Sequence, residues 1–202
     1  TNLATFPYTN IQETDESFLL KTKVILIATG SHPSRPEHIP FDGWRVIDSD
    51  DILSLDTIPR SIVIYGAGVI GCEYACMFSS MGTKVTVVDI KPRILRFLDY
   101  EIANELQKSM ESLGIEFFLE TELKSIHTNG EPKVISRFNN HRLETDVFLY
   151  SAGRISSTKR IGLEKLKIKA SQRGTIQVNE DFQTDYPNIY AAGDAIGAPA
   201  LA

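Results

Sequence analysis

The sequence predicts an α/β fold with a parallel sheet, and three observations point there. Residues 61–88 alternate strand, glycine turn, helix and strand. The strands are short runs of β-branched apolar residues, as expected where both faces are buried. A second, amphipathic helix then continues the alternation, the pattern that argues for parallel strands joined by helices.

From the start of the chain, the text reads as short antiparallel strands closing on an apolar one, Val24-Ile25-Leu26-Ile27-Ala28, expected to be buried on both faces. Pro33, Pro36, Pro40 and Gly43 then punctuate a linker too tightly for helix or sheet. A short helix is predicted from caps at Asp48-Ser49-Asp50 through Ile52 and Leu53 to Leu55. Ile62-Val63-Ile64-Tyr65 is a buried strand, Val69 to Met81 a mostly apolar helix that Gly82 terminates, and Lys84 to Val88 the next strand. Asp99 caps an amphipathic helix with Ile102, Leu106, Met110 and Leu113 as its expected apolar face and Gly114 as its stop. Asn129-Gly130 and Asn139-Asn140 mark the turns of a small antiparallel meander. Val147-Phe148-Leu149-Tyr150 is the last strand of that domain, ending at Ser151-Ala152-Gly153-Arg154. The tail holds a polar strand near Thr175 to Val178 and a buried one running into Gly193-Asp194.

Composition narrows the function classes. A net charge of -5 argues against a nucleic-acid surface, and no apolar run approaches the roughly 20 residues that span a bilayer. Thr1 to Asn10 lacks the basic start and apolar middle of a signal peptide. Two cysteines, Cys72 and Cys76, make no disulfide framework and fit a reducing cytoplasm. One helical turn apart, they have poor geometry for a disulfide and too few neighbours for a zinc site, so small core packing accounts for them better. His32, His38, His127 and His141 fall in loop or meander text without partners, and none is assigned catalysis. The chain begins without methionine and stops where a helix is expected to start, so it is read as an excised segment.

The strongest local signal is Gly66-Ala67-Gly68-Val69-Ile70-Gly71, set between a strand and a helix. Gly66 makes the tight turn, Gly68 lets a pyrophosphate approach the backbone, and Gly71 lets helix and strand pack closely. The amides and dipole of the helix start then face the phosphates. Asp89 ends the next strand at about the spacing expected of a ribose-binding acid. Together these predict a site for NAD(H) or NADP(H). A 2′-phosphate at Asp89 would meet a like charge, about 4 kcal/mol at 4 Å in an effective dielectric of 20. Lys91, Arg93 and Arg96 follow closely, and any of them could pair with that phosphate. Preference between the two cofactors stays open, as does solvation as the whole role of each basic residue. Glu73, placed on the first turn of the helix, is either a favourable first-turn acid or a ligand of the nicotinamide carboxamide.

Three further motifs fall in order around that loop: Ala28-Thr29-Gly30 before it, Ala152-Gly153-Arg154 after it, then Thr184 through Pro187, Ile189-Tyr190-Ala191 and Gly193-Asp194. The ordered set resembles the two-dinucleotide flavoprotein disulfide reductases, a family that includes glutathione reductase and dihydrolipoamide dehydrogenase, over essentially the whole chain. Asp48-Ser49-Asp50, Ile64 through Ala75, Phe97-Leu98-Asp99, Leu149-Tyr150 and Ile196-Gly197 with Pro199 and Leu201-Ala202 are most similar to its transhydrogenases. That resemblance implies an FAD-dependent oxidoreductase passing hydride between NADPH and NAD⁺. It implies a Rossmann-like NAD(P) domain at 48–152, flanked by two pieces of a split FAD domain at 1–47 and 153–202. It places Val69 and Glu73 at nicotinamide, Thr29, Gly30 and Gly153 among the cofactor contacts, and Gly193-Asp194 at the flavin ribityl and pyrophosphate. An N-cap role for Asp194 is compatible with this. Two departures stand out: Ile155-Ser156-Ser157-Thr158 replaces the usual Pro or Gly followed by Asn, and Asp89 stands where a transhydrogenase would carry Asn. The first FAD loop, any redox cysteine pair and a C-terminal domain for homo-oligomers would lie outside this sequence. The segment alone is therefore expected to bind NADH and NADPH without turnover. Dihydrolipoamide dehydrogenase and a non-catalytic nucleotide-binding module remain the alternatives.

Overall fold

A computed structural model describes residues 3–6, 18–128 and 133–197. The chain forms two compact units, one of residues 33–153 and one of residues 1–32 with 154–202. Asn129-Gly130, Pro199 and Leu201-Ala202 lie outside the described residues.

In chain order, β1 (Leu3–Phe6) and β2 (Phe18–Lys21) pair antiparallel, followed by β3 (Ile25–Ile27) and β4 (Ser31–Pro33). The central unit contains β5 (Val46–Ile47), β6 (Ser61–Tyr65), α1 (Val69–Ser80), β7 (Lys84–Val88), α2 (Tyr100–Ser112) and β8 (Glu116–Phe118). It continues through β9 (Leu123–His127), β10 (Val134–Phe138), β11 (Arg142–Thr145) and β12 (Val147–Tyr150). β13 (Arg154–Ser156) and β14 (Ile189–Ala191) return to the other unit.

The central sheet has the order β5-β12-β6-β7-β8, and every neighbouring pair is parallel. Burial on both faces explains the unbroken apolar text of its strands. In β6, Ile62 and Ile64 enter the core shared with Ala75, Phe78 and Met110 of the helices. Val63, between them, joins Phe148, Val134 and Phe138 on the opposite side. That second side is covered by the antiparallel meander β9-β10-β11, whose Asn139-Asn140 turn lies where the sequence puts it. Strand β8 was not foreseen: it is three residues long and begins on exposed Glu116, so it offers little periodic signal.

Several expectations change. The inner face of α2 is Ala103 and Met110 with Leu106 partly buried, while Ile102 and Leu113 are exposed. Ala103 lets the helix sit close, and bulky Ile102 turns outward. Glu73 belongs to the second turn of α1, which has no acid in its first. The first short helix is a single 3-10 turn, Asp51–Ser54, without a side-chain cap from Asp50. Thr175 to Val178 is no strand but one bridge, Ala170 to Ile176, flanked by Ser171 N–H donating to Thr175 O and Gln177 N–H to Lys169 O, while Ile176 N–H turns to Ala195 O. In the flanking unit β3 pairs in parallel with β14, and Leu26 is 63% exposed while Ile27 is buried. Among the described residues, Leu163, Ile168 and Ile176 pack on one face of this two-stranded sheet.

Two polar groups inside the central unit make opposite predictions. Asp48 is buried, accepts backbone N–H groups from Asp50 (2.8 Å) and Asp51 (3.0 Å), and pairs with Arg35 Nε at 2.5 Å. Burial raises its carboxyl, but the Arg35 hydrogen bond and the two amides outweigh it, so the group sits below the usual carboxylate range. A folded-state value below the unfolded one gives stability that is complete above the unfolded pKa and lost as pH falls through the folded one. Asp48→Asn is expected to destabilise the chain by about 1–2 kcal/mol at pH 7. Its gap to the parent should begin to narrow as pH falls below about 4, the unfolded value, and close only below the folded one in urea melts. Ser136, fully buried in β10, has a hydroxyl without a hydrogen-bond partner. Ser136→Ala should therefore stabilise by about 1 kcal/mol in the same assay.

Candidate functional site

At the carboxyl end of β6 the three glycines divide into two kinds. Gly66 has φ +120°, and a Cβ there would lie 2.8 Å from the carbonyl carbon and oxygen of Ser151. A Cβ on Gly71 would lie 1.8 Å from the Gly66 oxygen. These two positions are closed by the protein's own backbone. Gly68 differs: its φ of -82° suits any residue, and a Cβ would meet nothing within 4 Å. The protein leaves space there that its own packing does not need.

Gly68 is also the N-cap of α1 and supplies no side chain to bond the helix start. The first amides of a helix have no intrahelical acceptor, so those of Val69, Ile70 and Gly71 remain donors beside the open space. Ala67 does not join them. Its N–H donates to Asp89 Oδ2 at 2.7 Å, and its carbonyl accepts from Leu95 N at 2.9 Å. Ser151, at the end of β12, has its hydroxyl 3.2 Å from Tyr65 O and 3.1 Å from Gly66 O, bracing the turn from the neighbouring strand. Sequence reasoning missed that brace; the only trace of it was a polar residue following a buried strand.

Asp89 is brought to the loop as expected, at the end of β7 next to β6. Its other oxygen, Oδ1, accepts from Lys91 N at 2.8 Å. Each carboxylate oxygen keeps a lone pair for another donor. Arg93 is committed locally, donating to Arg96 O at 2.9 Å with its guanidinium 5.8 Å from the Tyr100 ring centroid. Lys91 and Arg96 extend into solvent. Val69 and Glu73 are both exposed on α1, one turn apart.

In the flanking unit, residues from three separate motifs converge. Ser31 donates to Asp194 Oδ2 at 2.5 Å. Arg154 donates to the Ser31 hydroxyl at 2.7 Å and to its carbonyl at 2.8 Å, with its Nε 4.0 Å from Asp194. The carboxylate is thus oriented, with Oδ1 available to a hydroxyl. Asp194 lies inside the 3-10 turn Gly193–Ala195, whose N-cap is Ala192, so the expected capping role falls away. Gly193 has φ +65° with open space at its Cβ position. Thr29 is exposed, and Gly30, at φ +69°, accepts from Ser157 N through its carbonyl at 2.9 Å. Gly153, at φ +121°, belongs to the central unit, where it accepts from Ser34 N at 3.0 Å. Ser31 and Arg154 are the residues that sequence reasoning had not placed at this cluster.

A parallel sheet with a glycine turn opening onto a helix start, and an acid at the end of the next strand, defines a Rossmann-like α/β protein. The chain belongs to the pyridine nucleotide-disulphide oxidoreductase family, whose profile matches residues 5–202. It is similar to the soluble pyridine nucleotide transhydrogenase of Azotobacter vinelandii, 42% identical over 183 residues that cover 91% of this chain and 39% of that protein. The Pseudomonas putida (strain GB-1) protein of the same name is 43% identical, again over 91% of this chain and 39% of the relative. Among solved structures, the HOCl-induced flavoprotein disulfide reductase RclA from Escherichia coli superposes with TM-score 0.81 at 28% identity, over 92% of this chain and 42% of that one. LpdA from Mycobacterium tuberculosis superposes with TM-score 0.84 at 26% identity, over 92% and 40%. The resemblance drawn from the ordered motifs is borne out. The chain spans about two fifths of the length of the curated relatives it matches. No helix among the described residues is long and apolar enough to cross a membrane.

Proposed function

We propose that residues 48–152 bind NAD(H) or NADP(H), and that 1–47 and 153–202 contribute to an FAD site, in a flavoprotein that passes hydride between NADPH and NAD⁺. The observation that carries this reading is the contrast among the glycines: two are closed by backbone, and the third faces open space beside the start of α1. The 42–43% identity to proteins named as transhydrogenases supports the reaction class.

In this reading the amides of Gly68, Val69, Ile70 and Gly71 donate to the pyrophosphate, with the α1 dipole behind them. Gly66 and Ala67 shape the turn. Asp89, already held by two amides, accepts from the adenosine ribose, and Lys91 or Arg96 pairs with a 2′-phosphate when one is present. Val69 and Glu73 contact the nicotinamide end. Asp194, oriented by Ser31 and Arg154, accepts from a flavin ribityl hydroxyl, with Thr29, Gly30 and Gly193 completing that site. FAD would supply the hydride acceptor and donor between the two nicotinamides. The 202-residue chain alone is expected to bind dinucleotide without turning it over.

Titration of the chain with NADH and NADPH, followed by nicotinamide fluorescence, tests the reading. Saturable one-to-one binding that ADP-ribose competes away supports it; no binding of either cofactor overturns it. Asp89→Asn is expected to raise the NADPH-to-NADH affinity ratio by about tenfold, since removing the carboxylate relieves part of a ~4 kcal/mol repulsion. The same change should cost about 1 kcal/mol of stability, because asparagine offers one acceptor where the loop presents two N–H groups. An unchanged ratio would place Asp89 away from the ribose.

A further inference from the structure

The space between α1 and α2 has features that dinucleotide binding does not use. A cavity of ≈ 460 Å³ is lined by Cys72, Cys76 and Met77 from α1, Leu106 and Met110 from α2, and Leu95 from the loop between β7 and α2. The two cysteines are the only ones in the chain, both are free thiols, and their four-residue spacing puts them on one helix face. Helix geometry keeps them from forming a disulfide with each other. Burial pushes Cys72 up to about 12, helped by the neighbouring Cys76, Asp89 and Glu73, and burial raises Cys76 as well.

Two protonated thiols in apolar surroundings select against ligands that must leave a net charge in the cavity. Univalent soft cations bound by two thiolates carry a negative charge into it, and divalent zinc asks for two further ligands that these walls do not offer. A monosubstituted trivalent arsenical avoids both problems.

We propose that Cys72 and Cys76 form a dithiol site for trivalent organoarsenicals, with the organic group seated against Leu95, Leu106 and Met110. The condensation is balanced without an oxidant. Two S–H bonds and the arsenic–oxygen bond break, two As–S bonds form, one water leaves, and arsenic stays trivalent. Cβ atoms four residues apart on a helix are about 5–6 Å apart, close enough for both sulfurs to reach one arsenic atom. Cys72 gives up only a weak contact to Ala67 O at 3.7 Å, and that carbonyl keeps its bond from Leu95 N. Val69 and Glu73 line the same cavity. Occupation should therefore weaken NADH binding, a consequence that rests on the proposed function, whereas the dithiol site itself does not.

The test adds one equivalent of phenylarsine oxide to the folded 202-residue chain. The expected result is loss of both free thiols with a single adduct by intact mass, a raised unfolding midpoint, and reversal by 2,3-dimercaptopropanol but not by 2-mercaptoethanol. Cys72→Ser and Cys76→Ser should each retain the reagent at least tenfold more weakly. Capture through one thiol, reversal by the monothiol, or a lowered midpoint would overturn the proposal. An adduct that leaves NADH affinity unchanged overturns the link to the dinucleotide site. Failure of the unmodified chain to bind NADH overturns the functional reading and leaves the dithiol site standing.

Discussion

Replacing Gly68 by valine should lower NADH affinity about a hundredfold or more and leave the chain folded. An added Cβ meets no protein atom within 4 Å, and the backbone there already has a φ that valine adopts. The cost to the apo chain is the loss of a good N-cap residue, about 1 kcal/mol. The cost to the complex is larger, because the side chain fills the space through which the phosphates reach the helix start. Hydrogen bonds to charged groups contribute about 1.5–3 kcal/mol each, so losing two accounts for the expected drop. Calorimetric titration beside a urea melt separates the two effects. Retained affinity in a folded Gly68→Val chain would place the phosphates elsewhere.

Gly71→Ala should do the reverse: destabilise the fold first and lose binding as a result. A Cβ at 1.8 Å from the Gly66 oxygen cannot be relieved by turning a side chain, since both sides of the clash are backbone. The helix must move off the turn, and overpacking of this kind costs about 3 kcal/mol or more. Gly66, Ser151 and the start of α1 would shift together, because the Ser151 hydroxyl is also 2.9 Å from that added atom. A Gly71→Ala chain that melts like the parent would show that helix and strand do not meet as described. The pair of variants distinguishes two glycines that look alike in sequence: one serves the fold, the other the ligand.

What could be read from sequence follows from where the physics is local. β6, β7 and α1 were legible because two-sided burial leaves unbroken apolar runs and because glycine is conspicuous. The start of α2 was legible because Asp99 accepts from Glu101 N two residues on, at 2.9 Å. The inner face of α2 was misjudged because small Ala103 makes the contact that hydrophobicity assigned to Ile102. The bond from Ala67 N to Asp89 spans 22 residues, and those from Ser31 to Arg154 and Asp194 span 123 and 163. Such contacts have no periodicity. The motifs named the segments involved, but only the fold revealed that Asp89 braces the turn or that Ser31 and Arg154 orient Asp194. Leu26 was misread for a related reason: its apolar run suggests two buried faces, but among the described residues the β3–β14 ribbon is covered on one.

The central claim is that unpaired amides at the start of α1 receive the diphosphate of a nicotinamide cofactor. Amide chemical shifts of the nitrogen-15-labelled chain during NADH titration address it most directly. Saturable changes should be largest at Gly68, Val69, Ile70 and Gly71, smaller at Asp89, and absent in the Gly68→Val chain. If NADH saturates the chain while those four resonances stay in place, the cradle is not where the cofactor binds.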